Sequence, residues 1–314
     1  MRRYRRKRKN NKIIIIGSLS LLLCLCVGYA AFQTNLTITA KGNIKEKSRV
    51  IQSWSSTDQT DFHSDFYKEN IVSATFLDNA NVPSNATESW NVSEDTSHGG
   101  VMAWVIPNSE DSTKYDLYIG ANDGVIANEN SSYLFGKFIA LRKINFNNNF
   151  DTSNVTNMAA MFWYTINLIE IDLSSFDTRN VTNMANLFCM WNEEDGVAIE
   201  TSLSMIIFGD KWDTSNVTNM KDLFTGTSVT NLDLSNWDTS SVTYMYHMFN
   251  YCDKLVELNL CGWNTRKVYN MEAMFNGTES LKYIYVGPSW TTENANITSM
   301  FSNSGVSSVT TGQC

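Results

Sequence analysis

"DTSNVTNM", Asp151 to Met158, is the stretch that decides the fold. It returns as "DTRNVTNM" from Asp177, "DTSNVTNM" from Asp213 and "DTSSVTYM" from Asp238. An aromatic residue stands directly ahead of each copy (Phe150, Phe176, Trp212, Trp237), and Trp263 and Trp290 head two looser copies. The intervals between these aromatics are 26, 36, 25, 26 and 27 residues, the long one holding an insertion in "CMWNEEDGVAIETS". A period of this size marks stacked repeats, because one unit cannot bury its apolar face alone and a neighbour can cover it.

Inside the copies the spacing continues. Val155, Met158 and Phe162 recur as Val181, Met184 and Phe188, then Val217, Met220 and Phe224, then Val242, Met245 and Phe249, then Val268, Met271 and Phe275. Spacing of i, i+3, i+7 reads as one face of two short helical turns, with the preceding Thr as N-cap. Before each aromatic lies an alternating stretch, such as "LIEIDLSSF" or "LVELNLCGW", which reads as a short half-buried strand. The expected fold is an α/β repeat solenoid over residues 139–314, six to seven coils of about 26 residues, each a parallel strand plus a short helical turn. Phe224 and Phe249 should then be buried one above the other, as should Met220 and Met245. The Asp, Thr and Asn residues should make turn and ladder hydrogen bonds. A calcium-binding stack of Asp151, Asp177, Asp213 and Asp238 is the sharper alternative, weakened by Asn264 and Thr291 in the next copies.

The N-terminus carries a different signal. Residues 2–12 hold eight Lys/Arg and no acid, and the apolar run Ile13 to Phe32 follows with no charge. Twenty such residues suit a transmembrane signal-anchor, with the basic tail 1–12 in the cytoplasm and the body outside. Cleavage after Ala30 is the alternative, since Gly28-Tyr29-Ala30 is a small-x-small site. Residues 33–70 read as an extracellular spacer, and 71–138 as a small β-rich cap over the first coil. Beyond residue 12 the acids outnumber the bases, which excludes nucleic acid as a natural partner.

Chemistry is sparse. The histidines are His63, His98 and His247, and no metalloprotease, nucleophile-elbow or phosphate-loop motif occurs. Cys189, Cys252, Cys261 and Cys314 form no CxxC pair and read as mostly unpaired, with no metal site. No cofactor and no catalytic group is expected.

The segment "LSNWDTSSVTYMYHMFNYCDKLVELNL" resembles the repeat of BspA-like leucine-rich-repeat bacterial surface proteins. "ATFLDNANVPSNATESWNVS", from Ala74, is similar to the module that precedes such repeats. The resemblance implies a leucine-rich-repeat-like coil and an adhesive or protein-binding role at the cell surface. It implies no catalytic residues. The chain departs from the pattern in having no wall-sorting signal near Cys314, so attachment is expected at the N-terminus.

These readings converge on a membrane-anchored surface protein that binds a host or bacterial surface protein. A structural envelope protein or a surface hydrolase are the alternatives. Residues between the inward-facing strand positions point outward. They run from Lys143 and Asn145 through Glu170 and Asp172, Asn231 and Asp233, and Glu257 and Asn259, to Tyr283 and Tyr285. Tyr283, Tyr285, Glu257 and Asn259 are the expected protein-binding patch, since exposed aromatics beside hydrogen-bonding groups are typical anchors. The competing reading has the tyrosines shield the end of the stack.

Overall fold

Each letter of "DTSNVTNM" has an assignment in the folded chain. The computed structural model describes residues 49–55, 60–191, 201–312 and 314. In the copy at Asp151, the Asp151 carboxylate accepts the Ser153 N–H at 3.0 Å, closing a turn. Thr152 is buried, and its hydroxyl joins two repeats: it accepts the Asp177 N–H at 2.8 Å and donates to the Asp177 carbonyl at 3.1 Å. In the next copy, the Asn180 amide donates back to the Ser153 carbonyl at 2.7 Å. The Thr182 hydroxyl donates to the Thr156 carbonyl at 3.2 Å. The Asn157 carboxamide oxygen accepts the Ala159 N–H, and Asn157 bridges in parallel to Asn130 and Asn183. Val155 and Met158 fill the core. The polar letters are therefore joints between repeats, and the apolar letters are their filling.

The threonine joint recurs. Thr178 bonds both backbone groups of Asp213, Thr239 those of Asn264, and Thr265 those of Thr291. A buried N–H left without a partner costs about 1–3 kcal/mol. Thr239→Val keeps the shape and removes the acceptor for the Asn264 N–H, so a loss of about 1–3 kcal/mol is expected in urea unfolding. A loss below about 0.5 kcal/mol, the range of a surface change, would show that the hydroxyl does not join the repeats.

The expected helical turn is corrected. Among the described residues helix is confined to Asp65–Lys68 and a 3-10 turn at Thr96–His98, both outside the repeats. The reason lies ten residues after each leading aromatic. Ala160, Asn186, Asp222, His247 and Ala273 all have φ between 49° and 59° there. A left-handed residue cannot continue a right-handed helix. The backbone N–H groups go sideways instead. Those of Met158, Ala160, Phe162 and Tyr164 donate to Asn183, Ala185, Leu187 and Cys189 in the next repeat. The following repeat does the same, from Met184, Asn186, Phe188 and Met190. Thr152 and its equivalents accordingly link repeats and cap no helix.

Over the described residues the fold is thus mostly β and nearly helix-free, built of several small sheets, and the leucine-rich-repeat-like α/β solenoid is overturned. Five strands come before or at the first repeats: β1 Ile71–Leu77, β2 Glu88–Asn91, β3 Met102–Pro107, β4 Tyr115–Gly120 and β5 Val125–Ile126. β6 Lys143–Asn145, β7 Phe150–Asp151, β8 Glu170–Leu173 and β9 Met205–Phe208 follow. The last four are β10 Asn231–Asp233, β11 Glu257–Leu260, β12 Tyr283–Val286 and β13 Thr310–Thr311. One mixed sheet has the order β2-β3-β4-β1-β6, and one parallel sheet runs β10-β11-β12-β13, with β5-β7 and β8-β9 as parallel pairs. Close approach between repeats needs glycine in places. A Cβ on Gly262 or Gly287 would overlap the carbonyl oxygen of Ser235 or Cys261 in the repeat before.

The core is continuous. A column of seven rings, Phe135, Phe162, Phe188, Phe224, Phe249, Phe275 and Phe301, has successive centroids 5.4–6.0 Å apart and near-parallel planes. Met220 and Met245 are fully buried beside it. Ile51, Trp54, Phe62 and Tyr67 belong to the same core, and the described residues form one compact unit.

Of two further expectations, one falls outside the described residues and one is corrected. The transmembrane helix at 13–32 lies outside the described residues, and among the described residues no helix is long and apolar enough to cross a membrane. The cysteines are not mostly unpaired, because Cys261 and Cys314 form a disulfide across a separation of 53 residues. Strand β13 returns the chain beside β12, which no local spacing announces. Cys189 and Cys252 are free and buried.

Candidate functional site

The alternation that buries Leu258 and Leu260 in β11, and Ile284 and Val286 in β12, turns the residues between them outward. Parallel pairing sets Glu257 opposite Tyr283 and Asn259 opposite Tyr285. All four residues of the expected patch therefore share one face. The tyrosine rings stack at 5.9 Å with planes 4° apart, and Tyr283 is 48% exposed. Partial burial raises the Tyr285 phenol, and the Glu257 carboxylate and Tyr283 add to the effect. Tyr285 stays a neutral hydrogen-bonding phenol at neutral pH.

The two outward rows differ in role. Asp172, Asp233 and Asn259 each accept an N–H two residues on, from Ser174, Ser235 and Cys261. This row shapes the turns after the strands. The other row, Glu170, Met205, Asn231, Glu257 and Tyr283, is exposed. β12 is not the last rung: β13 pairs beside it, with Tyr285 opposite Thr310 and Val286 opposite Thr311. The pairing covers the strand edge at Tyr285 and does not reach Tyr283.

The sequence reading passed over one rung. β9 pairs with β8, placing Met205 opposite Glu170 and Ile207 opposite Asp172. Met205 is 51% exposed and Ile207 42%, and Ile169 beside them is also exposed. The stretch "SMIIFGDKW" ahead of Trp212 holds the signal, but the insertion before it shifts the count and hides the alignment. The assembled face carries apolar side chains at β9, tyrosines at β12, and carboxylates at Glu170, Asp172, Asp233 and Glu257.

Reactive groups elsewhere are poorly placed for chemistry. His63 is buried, stacked on Trp54, with Nδ1 3.0 Å from the Asp61 carboxylate and Nε2 2.9 Å from the Leu134 carbonyl. Burial pushes both free thiols up, Cys252 to about 12, so neither is a thiolate at neutral pH. The four ladder aspartates hold turns or, at Asp177, pair with Arg179 at 2.7 Å. Among the described residues no cluster of three His, Cys, Asp or Glu could hold a metal ion.

No curated protein and no solved structure matches the chain significantly. A family model does match, over residues 130–193 and 196–311. That span opens at Asn130, the first asparagine of the bridged ladder, and closes at the end of β13. It takes in more than half of the chain, which therefore belongs to the family described as "Mycoplasma protein of unknown function, DUF285".

Proposed function

We propose that this chain is a binding protein of the bacterial cell exterior, of the BspA-like surface type, that holds a host or bacterial surface protein on its outer strand face. One observation carries the reading: Met205, Ile207 and Tyr283 are exposed on strands β9 and β12, whose paired neighbours β8 and β11 present Glu170 and Glu257. Large apolar and aromatic side chains beside charges are what a protein interface uses as anchor and rim. The Cys261–Cys314 disulfide supports the location, since such bonds persist outside the reducing cytoplasm. The carboxylates favour a partner with basic groups, and such contacts weaken as salt screens them.

The test is binding of the full chain to host-matrix and bacterial surface preparations. Met205→Ser with Ile207→Ser, and separately Tyr283→Ser with Tyr285→Ser, are each expected to weaken binding by about tenfold or more. The melting temperature should stay close to that of the parent chain. Unchanged binding with unchanged melting in both variants would reject this face and leave a structural envelope role. Lower melting with unchanged binding would show that the side chains serve the stack.

A further inference from the structure

A second surface has a different chemistry. Where the repeats turn back after the phenylalanine column, two adjoining grooves open, of about 560 and 460 Å³. Trp191 and Tyr251 stand between them and line both, stacked at 5.1 Å with planes 15° apart. The larger groove also takes Tyr133 and Trp163, rings in edge contact at 6.0 Å, and Tyr246, which lies on His247 at 3.6 Å. Apart from Tyr246 and Tyr251, which share one, these rings come from different repeats and are brought together by stacking.

Polar groups lie among the rings. Asn186, Asn250 and Asn276 supply carboxamides, with the Asn276 amide donating to the Asn250 oxygen at 2.9 Å. Asp222 faces Lys221 at 3.4 Å on one carboxylate oxygen and His247 at 3.4 Å on the other. In the larger groove these charges offset one another, which suits a neutral ligand, while the smaller groove adds Asp253, Lys254 and Glu279. The backbone beside the groove is spoken for: the N–H groups of Lys137, Tyr164, Met190 and Tyr251 all donate to the next repeat. Those four N–H groups are not open to a peptide adding as a strand. The groove offers aromatic faces and side-chain donors and acceptors.

A pyranose ring matches that offer. It has a C–H face that packs on an aromatic plane and a rim of hydroxyls that both donate and accept. Concave sites with aromatic walls and a few placed polar groups are ligand sites in general. Rings from several stacked repeats provide several platforms, which favours linked sugars over a single one. We infer that this groove binds a neutral oligosaccharide, with Trp191 and Tyr251 as its central platform. The inference does not depend on the strand face.

Calorimetric titration of the full chain tests it, with the tetrasaccharides of glucose, mannose, galactose and N-acetylglucosamine as probes. Saturable binding of at least one is expected. Trp191→Ala and Tyr251→Ala should each weaken it by about tenfold or more, while Tyr251→Phe, which keeps the ring, should retain most of it. Tyr246→Ala, a half-exposed ring, serves as a further variant should either alanine change lower the melting temperature. The Tyr283→Ser, Tyr285→Ser pair should leave sugar binding unchanged, separating this site from the strand face. Absence of saturable binding to all four probes overturns the inference, as does binding unaffected in Trp191→Ala, Tyr251→Ala and Tyr246→Ala. Binding of a peptide that the tetrasaccharides do not displace would assign the groove to protein instead.

Discussion

Replacing Phe249 with alanine is expected to cost about 3–5 kcal/mol and to loosen the repeats on both sides. The ring is fully buried, with Phe224 at 5.5 Å and Phe275 at 5.7 Å on its two faces. Alanine removes the apolar transfer energy of the ring and leaves a cavity. Its walls are backbone ladders already bonded from repeat to repeat, so they cannot close over the gap. Because the ring packs on Phe224 and Phe275 in the adjoining repeats, the damage should be local in origin. Hydrogen exchange should speed first at Met248 and Met274, which flank the ring's own repeat and the next. Urea unfolding gives the magnitude. A cost below about 0.5 kcal/mol would mean that the ring column carries no core packing.

Reduction of the Cys261–Cys314 disulfide is expected to remove about 2–4 kcal/mol. The bond closes a loop over a separation of 53 residues, long enough for a large loss of chain entropy in the unfolded state. It also ties the chain just after β11 to the chain beyond β13, with β12 between them. β13 is two residues long and largely exposed, so the pairing alone holds it weakly. Cys314→Ser should therefore lower the unfolding free energy and raise amide exchange at Thr310 and Thr311 before the rest of the sheet responds. If reduction costs less than about 1 kcal/mol and those amides keep their protection, the strand is held by its ladder and packing, and the bond is dispensable.

Some of this was legible because repetition makes it so. When identical positions stack, the pattern of one copy states the neighbours of the next. The burial of Ile171, Leu173, Leu258 and Leu260 follows from alternation, and the contact of Phe224 with Phe249 follows from period. The shared face of Glu257, Asn259, Tyr283 and Tyr285 follows from both. The β9 rung was missed because counting fails across an insertion, although Met205 and Ile207 obey the same alternation.

By itself the sequence determined the period, the inward side chains and the polar positions that would need partners. The tertiary structure alone decided where the backbone hydrogen bonds go. Spacing of i, i+3, i+7 suits a helix, but the N–H groups of Met158, Ala160 and Phe162 find their acceptors one repeat away. The residues that turn left-handed to permit this are Ala, Asn, Asp and His, with no shared type to reveal them. Cys261 and Cys314, and likewise Trp191 and Tyr251, are far apart along the chain and meet only when repeats stack. The physical reason is common to all of these. A backbone amide or a ring edge is satisfied by whatever group lies nearest in space, and in a stack that group belongs to another repeat.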